Sequence, residues 1–115
     1  MTLKEKILAA RDHKTAPVKV PEWNVELTIR SFSAEERDAW EQQVQAAAKT
    51  GIPVENFRAK LAAKIVIDKD GARVFSDDDV EALGKKSGAA LDRIFGAFLK
   101  LNALSKKEVD ELQKN

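Results

Sequence analysis

Cysteine is absent from this 115-residue chain, which excludes disulfide bridges, thiolate nucleophiles and cysteine-ligated zinc. The absence fits a reducing, cytoplasmic setting. Histidine occurs once, as His13, in a polar stretch ahead of Pro17. With no Ser/Asp or Cys partner in a recognisable arrangement, it reads as a surface residue rather than half of a catalytic pair. The five glycines are scattered as helix stops and loop residues and form no phosphate-cradling loop. Neither charge sign dominates. Twenty basic and nineteen acidic residues leave a net charge of +1, without the basic excess of a nucleic-acid binder or the imbalance of a disordered acidic chain. Long hydrophobic runs are missing too. No stretch approaches the roughly 20 apolar residues that span a bilayer, and the opening MTLKEKILAARDHK has too short an apolar core for a signal peptide. The chain is expected to be soluble, without membrane, nucleic acid, cofactor or metal as partner. No catalytic constellation is present, so it is expected not to be an enzyme.

Hydrophobic residues make up 43% of the sequence and charged residues 34%, which suits one globular domain over residues 1–115. Thr2, with Glu5 three residues later, opens a short helix through residue 11 whose Leu3, Ile7 and Ala10 share a face. Such a short stripe needs a surface, so the helix is expected to dock on the domain. Val18 and Val20, then Val25, Leu27 and Ile29, alternate with polar residues on either side of the turn Pro21-Glu22-Trp23-Asn24. This predicts a β-hairpin with Trp23 at its tip, its first strand pushed to a sheet edge by Pro17 and Pro21. Ser33-Ala34-Glu35-Glu36 is a capping box. It predicts a helix from Ala34 to about Lys49, with Trp40, Val44 and Ala47 or Ala48 on one face, stopped by Gly51 and Pro53. The next helix carries Phe57, Leu61 and Ile65 at i, i+4 spacing and runs into β-branched Ile65-Val66-Ile67, where helix and strand compete. The fold class is therefore α+β: an N-terminal β-hairpin packed with four to five helices, mostly α.

The stretch from Ile65 to Asn102 organises the rest. Asp68-Lys69-Asp70-Gly71 is a turn, and Ala72-Arg73-Val74-Phe75 reads as a short strand pairing back on residues 65–67. An EF-hand loop placed with Gly71 at its sixth position has Val66 where the first acidic ligand belongs, so the turn is structural, not a calcium site. Ser76 caps a short helix over residues 77–83, and Ser87 caps a long one to about Ala103. The long helix bears a wide apolar stripe of Leu91, Ile94, Phe95, Phe98, Leu99 and Leu101. Gly96 inside it leaves room for a close neighbour. Ser105-Lys106-Lys107-Glu108 is a second capping box, predicting a separate terminal helix with Val109 and Leu112 as its apolar pair.

Several of these pieces, in this order, resemble the tail assembly chaperones of long-tailed bacteriophages. They are PEWN at residues 21–24, SAEERDAWE at 33–41, DKDGARVFSDDDVEALGKKS at 68–87 and FLKLNALS at 98–105. The Ala-rich helix around residues 46–48 departs from that pattern. The resemblance implies a non-catalytic assembly factor of the host cytoplasm, absent from the mature virion. It would bind the long, coiled-coil-prone tape measure protein and help tail tube protein gather along it. It also implies a short form of a protein often made in two lengths by frameshifting.

A chaperone for an apolar helical client needs exposed apolar surface. The expected partner-binding residues are Trp23, Leu91, Phe95, Phe98 and Leu99, with a wholly buried stripe as the competing expectation. Trp23 and the edge strand at residues 18–20 are a second candidate surface, for a homo-oligomer built by strand pairing. The alternative function is a small structural virion protein, a head–tail connector or tail-terminator subunit. A nucleic-acid regulator using Lys85-Lys86 and Lys106-Lys107 is a weaker alternative, since both pairs lie close to acidic runs.

Overall fold

The computed structural model describes the backbone of residues 1–113 and the side chains of residues 1–101. In chain order the elements are α1 (Leu3–Ala9), β1 (Thr15–Val20), a 3-10 turn (Pro21–Trp23), β2 (Val25–Arg30), α2 (Ala34–Thr50), α3 (Phe57–Ile65) and β3 (Val66–Ile67). A second 3-10 turn (Asp77–Asp79), α4 (Val80–Gly84) and α5 (Gly88–Gln113) complete the chain. The fold is α+β.

The hairpin forms as the alternation predicts, with Val18 opposite Leu27 and Ala16 opposite Ile29. Its turn closes through Asn24, which takes a left-handed φ of 52°, a conformation Asn tolerates better than most residues. The competition at residues 65–67 resolves in favour of a strand. Val66 and Ile67 pair antiparallel with Ile29 and Thr28, giving a three-stranded sheet of order β1-β2-β3. β1 is therefore an edge strand. Ser31 N–H donates to the Lys14 carbonyl at 2.8 Å, and alternation from that pair turns the side of Pro17 that lacks an N–H toward the open edge.

The core lies between the sheet, α3 and α5. α3 buries Ala59, Leu61, Ala62, Ala63 and Ile65, so this nine-residue helix is enclosed on most of its circumference. Val18, Val20 and Ile29 meet it from the sheet, Leu83 from α4, and Ala90, Leu91, Ile94 and Phe98 from α5. Each large side chain sealed this way contributes roughly 1.5–3 kcal/mol.

Four sequence expectations are corrected here. α1 forms, with Thr2 Oγ1 accepting from Glu5 N–H at 3.1 Å, but it buries no residue and does not dock. Residues 72–75 form no strand. Asp68 accepts the amides of Asp70 and Ala72, and this Asx turn leaves one bridge, Ile67 to Arg73. The separate terminal helix does not exist. α5 continues unbroken to Gln113, because Ala103 and Leu104 are strong helix formers and neither Gly nor Pro separates them from Ser105. The side chains of Val109 and Leu112 lie outside the described residues. Finally, Gly96 is not at a close approach: a Cβ there would meet nothing within 4 Å.

Candidate partner-binding surface

α2 is the least embedded of the long helices. Its start is fixed by the predicted capping box, Ser33 Oγ accepting from Glu36 N–H at 3.2 Å and Glu36 Oε1 accepting from Ser33 N–H at 2.9 Å. Its end is fixed by Gly51 at φ 74°, whose N–H reaches the Ala47 carbonyl. Between these caps, seventeen residues bury no side chain fully. Among the described residues, an ion pair and an aromatic contact hold the helix to the body. In the ion pair, Arg30 on β2 donates from both terminal nitrogens to the two carboxylate oxygens of Glu36, at 2.7 Å each. Those bonds pull the Glu36 carboxyl down to about 2 against the opposing cost of burial.

The other contact is aromatic. Phe32 stacks tilted on Phe98 at 4.8 Å between ring centroids and meets Trp40 edge-on at 5.7 Å. Trp40 lies 4.3 Å from Phe57, and Phe57 lies 5.9 Å from Phe95. Five rings from the β2–α2 loop, α2, α3 and α5 thus form one connected strip. Phe98 is buried while Phe32, Trp40, Phe57 and Phe95 are half-buried. Arg58 covers one side of Phe95 at 5.2 Å from its centroid and pairs with Asp92 at 2.6 Å. At the borders stand two exposed aliphatics. Val44, 43% exposed, sits one turn past Trp40, and Leu99, 53% exposed, one turn past Phe95.

The residues expected to bind a partner divide on this geometry. Leu91 and Phe98 are core side chains, because they occupy the side of α5 that packs on α3 and the sheet. Phe95 is half-covered and Leu99 open. Trp23 is half-buried against the core at the far end of the hairpin. There Arg93 on α5 donates to Glu22 at 2.7 Å and holds that carboxyl below its usual range. The structure joins Phe95, Phe98 and neighbouring Leu99 on one element and leaves Trp23 apart from them.

Three ring residues, Phe32, Trp40 and Phe57, were not singled out in the sequence as site residues. A signal for the first existed: Phe32 directly precedes the N-cap Ser33, where an apolar residue usually staples to the fourth helical position. That position is Arg37, so Phe32 reaches one turn further, to Trp40. The strip offers apolar contact area to an incoming helix, and its rims carry ion pairs. Among the described residues no group of three or more His, Asp or Glu side chains is placed to hold a metal.

The fold has a solved counterpart, the bacteriophage HK97 tail assembly chaperone. It superposes with a TM-score of 0.59 and 24% sequence identity over 85% of this chain and 91% of that chain, a likeness of fold. No curated protein matches the sequence. The sequence profile described as phage tail assembly chaperone matches residues 2–115. On that match over nearly its whole length, the chain belongs to the phage tail assembly chaperone family.

Proposed function

We propose that this chain acts without catalysis, holding the tape measure protein in the host cytoplasm while tail tube protein gathers along it, and leaves before the virion is complete. The observation that carries the reading is the half-open aromatic strip between α2 and α5, bordered by exposed Val44 and Leu99. An amphipathic client helix presents apolar residues at i, i+4 spacing, and a strip of half-covered rings accepts them without a deep pocket. Shallow contact suits a holder that must let go. Each side chain newly buried is worth roughly 1.5–3 kcal/mol before the costs of ordering, so a few anchors give a reversible complex. Leu99 and Phe95 are the proposed α5 contacts, and Trp40 and Val44 those of α2.

Strand addition at β1 is less well supported as a route to a homo-oligomer. Pro17 and Lys19 interrupt the free edge, and both residue types are devices that blunt such edges.

Co-expression with the phage's own tape measure protein tests the reading. The expected result is a soluble tape measure protein that co-purifies with this chain. A tape measure protein equally insoluble with and without the chain would overturn it. So would finding this chain stoichiometric in purified particles, which would favour the virion-component alternative.

A further inference from the structure

We propose that α1 is a strap that closes over an acidic hollow beside Phe32 in its own chain. α1 has unfinished business as a helix. Seven residues are too few to be stable in water unless one face is covered, yet Leu3, Ile7 and Leu8 are 73%, 61% and 75% exposed. What covers that face is indicated by where the helix is tethered. His13 Nδ1–H donates to the Ser31 carbonyl at 3.0 Å, Lys14 N–H to Ser31 Oγ at 3.0 Å, and Ser31 N–H to the Lys14 carbonyl at 2.8 Å. The amino-terminal segment is thus pinned one residue before Phe32. Only residues 10–12 separate α1 from this anchor, a span of at most about 10 Å when extended.

Next to the anchor lies a surface hollow lined by Phe32, Ser33, Ala34, Arg37, Asp38 and Glu41. Arg37 pairs with Glu41 at 3.1 Å, which leaves the Asp38 carboxylate as the hollow's net negative charge. The first fourteen residues carry the opposite balance, Lys4, Lys6, Arg11 and Lys14 against Glu5 and Asp12. The hollow supplies an aromatic edge for the Leu3–Ile7 stripe and the Asp38 carboxylate for Lys4 or Lys6. Lengths agree as well: seven helical residues extend roughly 10 Å, about the distance from Ala34 to Glu41 along α2. The short tether selects the chain's own hollow over that of a second copy, since it holds α1 at an effective concentration on the order of millimolar. Closed, the strap covers the Phe32 end of the aromatic strip.

The inference concerns what covers that end and is tested without any client, so its failure and the failure of the client reading are separate results. With no native thiol in the chain, Leu3→Cys combined with Gln45→Cys, one turn past Glu41, gives a clean cross-linking pair at exposed positions. The expected result under mild oxidation is a disulfide within single chains, formed at a rate independent of protein concentration. Lys4→Glu with Lys6→Glu should slow it several-fold, and adding Asp38→Lys with Glu41→Lys should restore it. Thiols that stay free, linked dimers whose yield rises with concentration, or a rate indifferent to the charge exchange would each overturn the strap.

Discussion

Arg30 and Glu36 join by two parallel hydrogen bonds of 2.7 Å, and the same guanidinium donates to the carbonyls of Ser31 and Lys64 at 2.9 and 3.0 Å. One side chain therefore ties the end of β2, the first turn of α2 and the last turn of α3 together. Removing its partner leaves a half-buried cation with its carboxylate gone. Glu36→Gln should lower stability by about 1–2 kcal/mol in urea unfolding at pH 7, the lower half of the range for charged hydrogen bonds because the pair is partly solvated.

The same pair sets an acid limit. Arg30 lowers the Glu36 carboxyl from 4.5 to about 2 in the folded chain. Its contribution is therefore complete above the unfolded value near 4.5 and is lost as pH falls from there through about 2. The stability gap between wild type and Glu36→Gln should stay constant from pH 8 to pH 5 and close toward pH 2. A gap that persists at pH 2 would show that packing, not ionisation, is responsible.

Among the described residues, Trp40 is the one large side chain of α2 packed on the body, against Phe32 and Phe57. Trp40→Ala should cost about 2–3 kcal/mol, below the full core range because the ring is half-exposed. It should also release amide protection along the second half of α2. Val44→Ala, one turn on and exposed, should change stability by less than about 0.5 kcal/mol.

Two glycines should respond in opposite senses. Gly71 holds φ at 85° in the turn that Asp68 closes, so Gly71→Ala should destabilise by about 1 kcal/mol or more. Gly96 lies mid-helix with open space around its Cβ position. Gly96→Ala should therefore stabilise by up to about 1 kcal/mol, measured as a rise in the unfolding midpoint.

What the sequence revealed was whatever is decided locally. The capping box at Ser33, the single Thr2 cap, the Asn24 turn and the edge position imposed by Pro17 all follow from a few adjacent residues. What it hid depended on distant partners. The strip of Phe32, Trp40, Phe57, Phe95 and Phe98 is assembled from four separate segments, and no spacing rule links residue 32 to residue 98. The wide stripe on α5 showed that the helix is apolar on more than one side without showing which side the sheet and α3 would claim. Leu91 and Phe98 went inward, Leu99 outward. The second capping box misled because Ser105 can cap a helix only if the preceding residues leave it, and Ala103-Leu104 do not. α1 misled for the converse reason: its pattern announces a face to be covered without naming the cover.

Adjacent positions on α5 offer the most direct test that the open side of the strip is the client surface. Phe98→Asp places a charge in the core and should unfold the chain, at a cost of about 4 kcal/mol or more. Leu99→Asp should leave the unfolding midpoint unchanged. Titrating helical tape measure segments against wild type and against Leu99→Asp combined with Val44→Asp decides the matter. The account predicts binding at least about tenfold weaker in the folded double variant, the loss of roughly one apolar anchor. Equal affinity in the two folded proteins would contradict it.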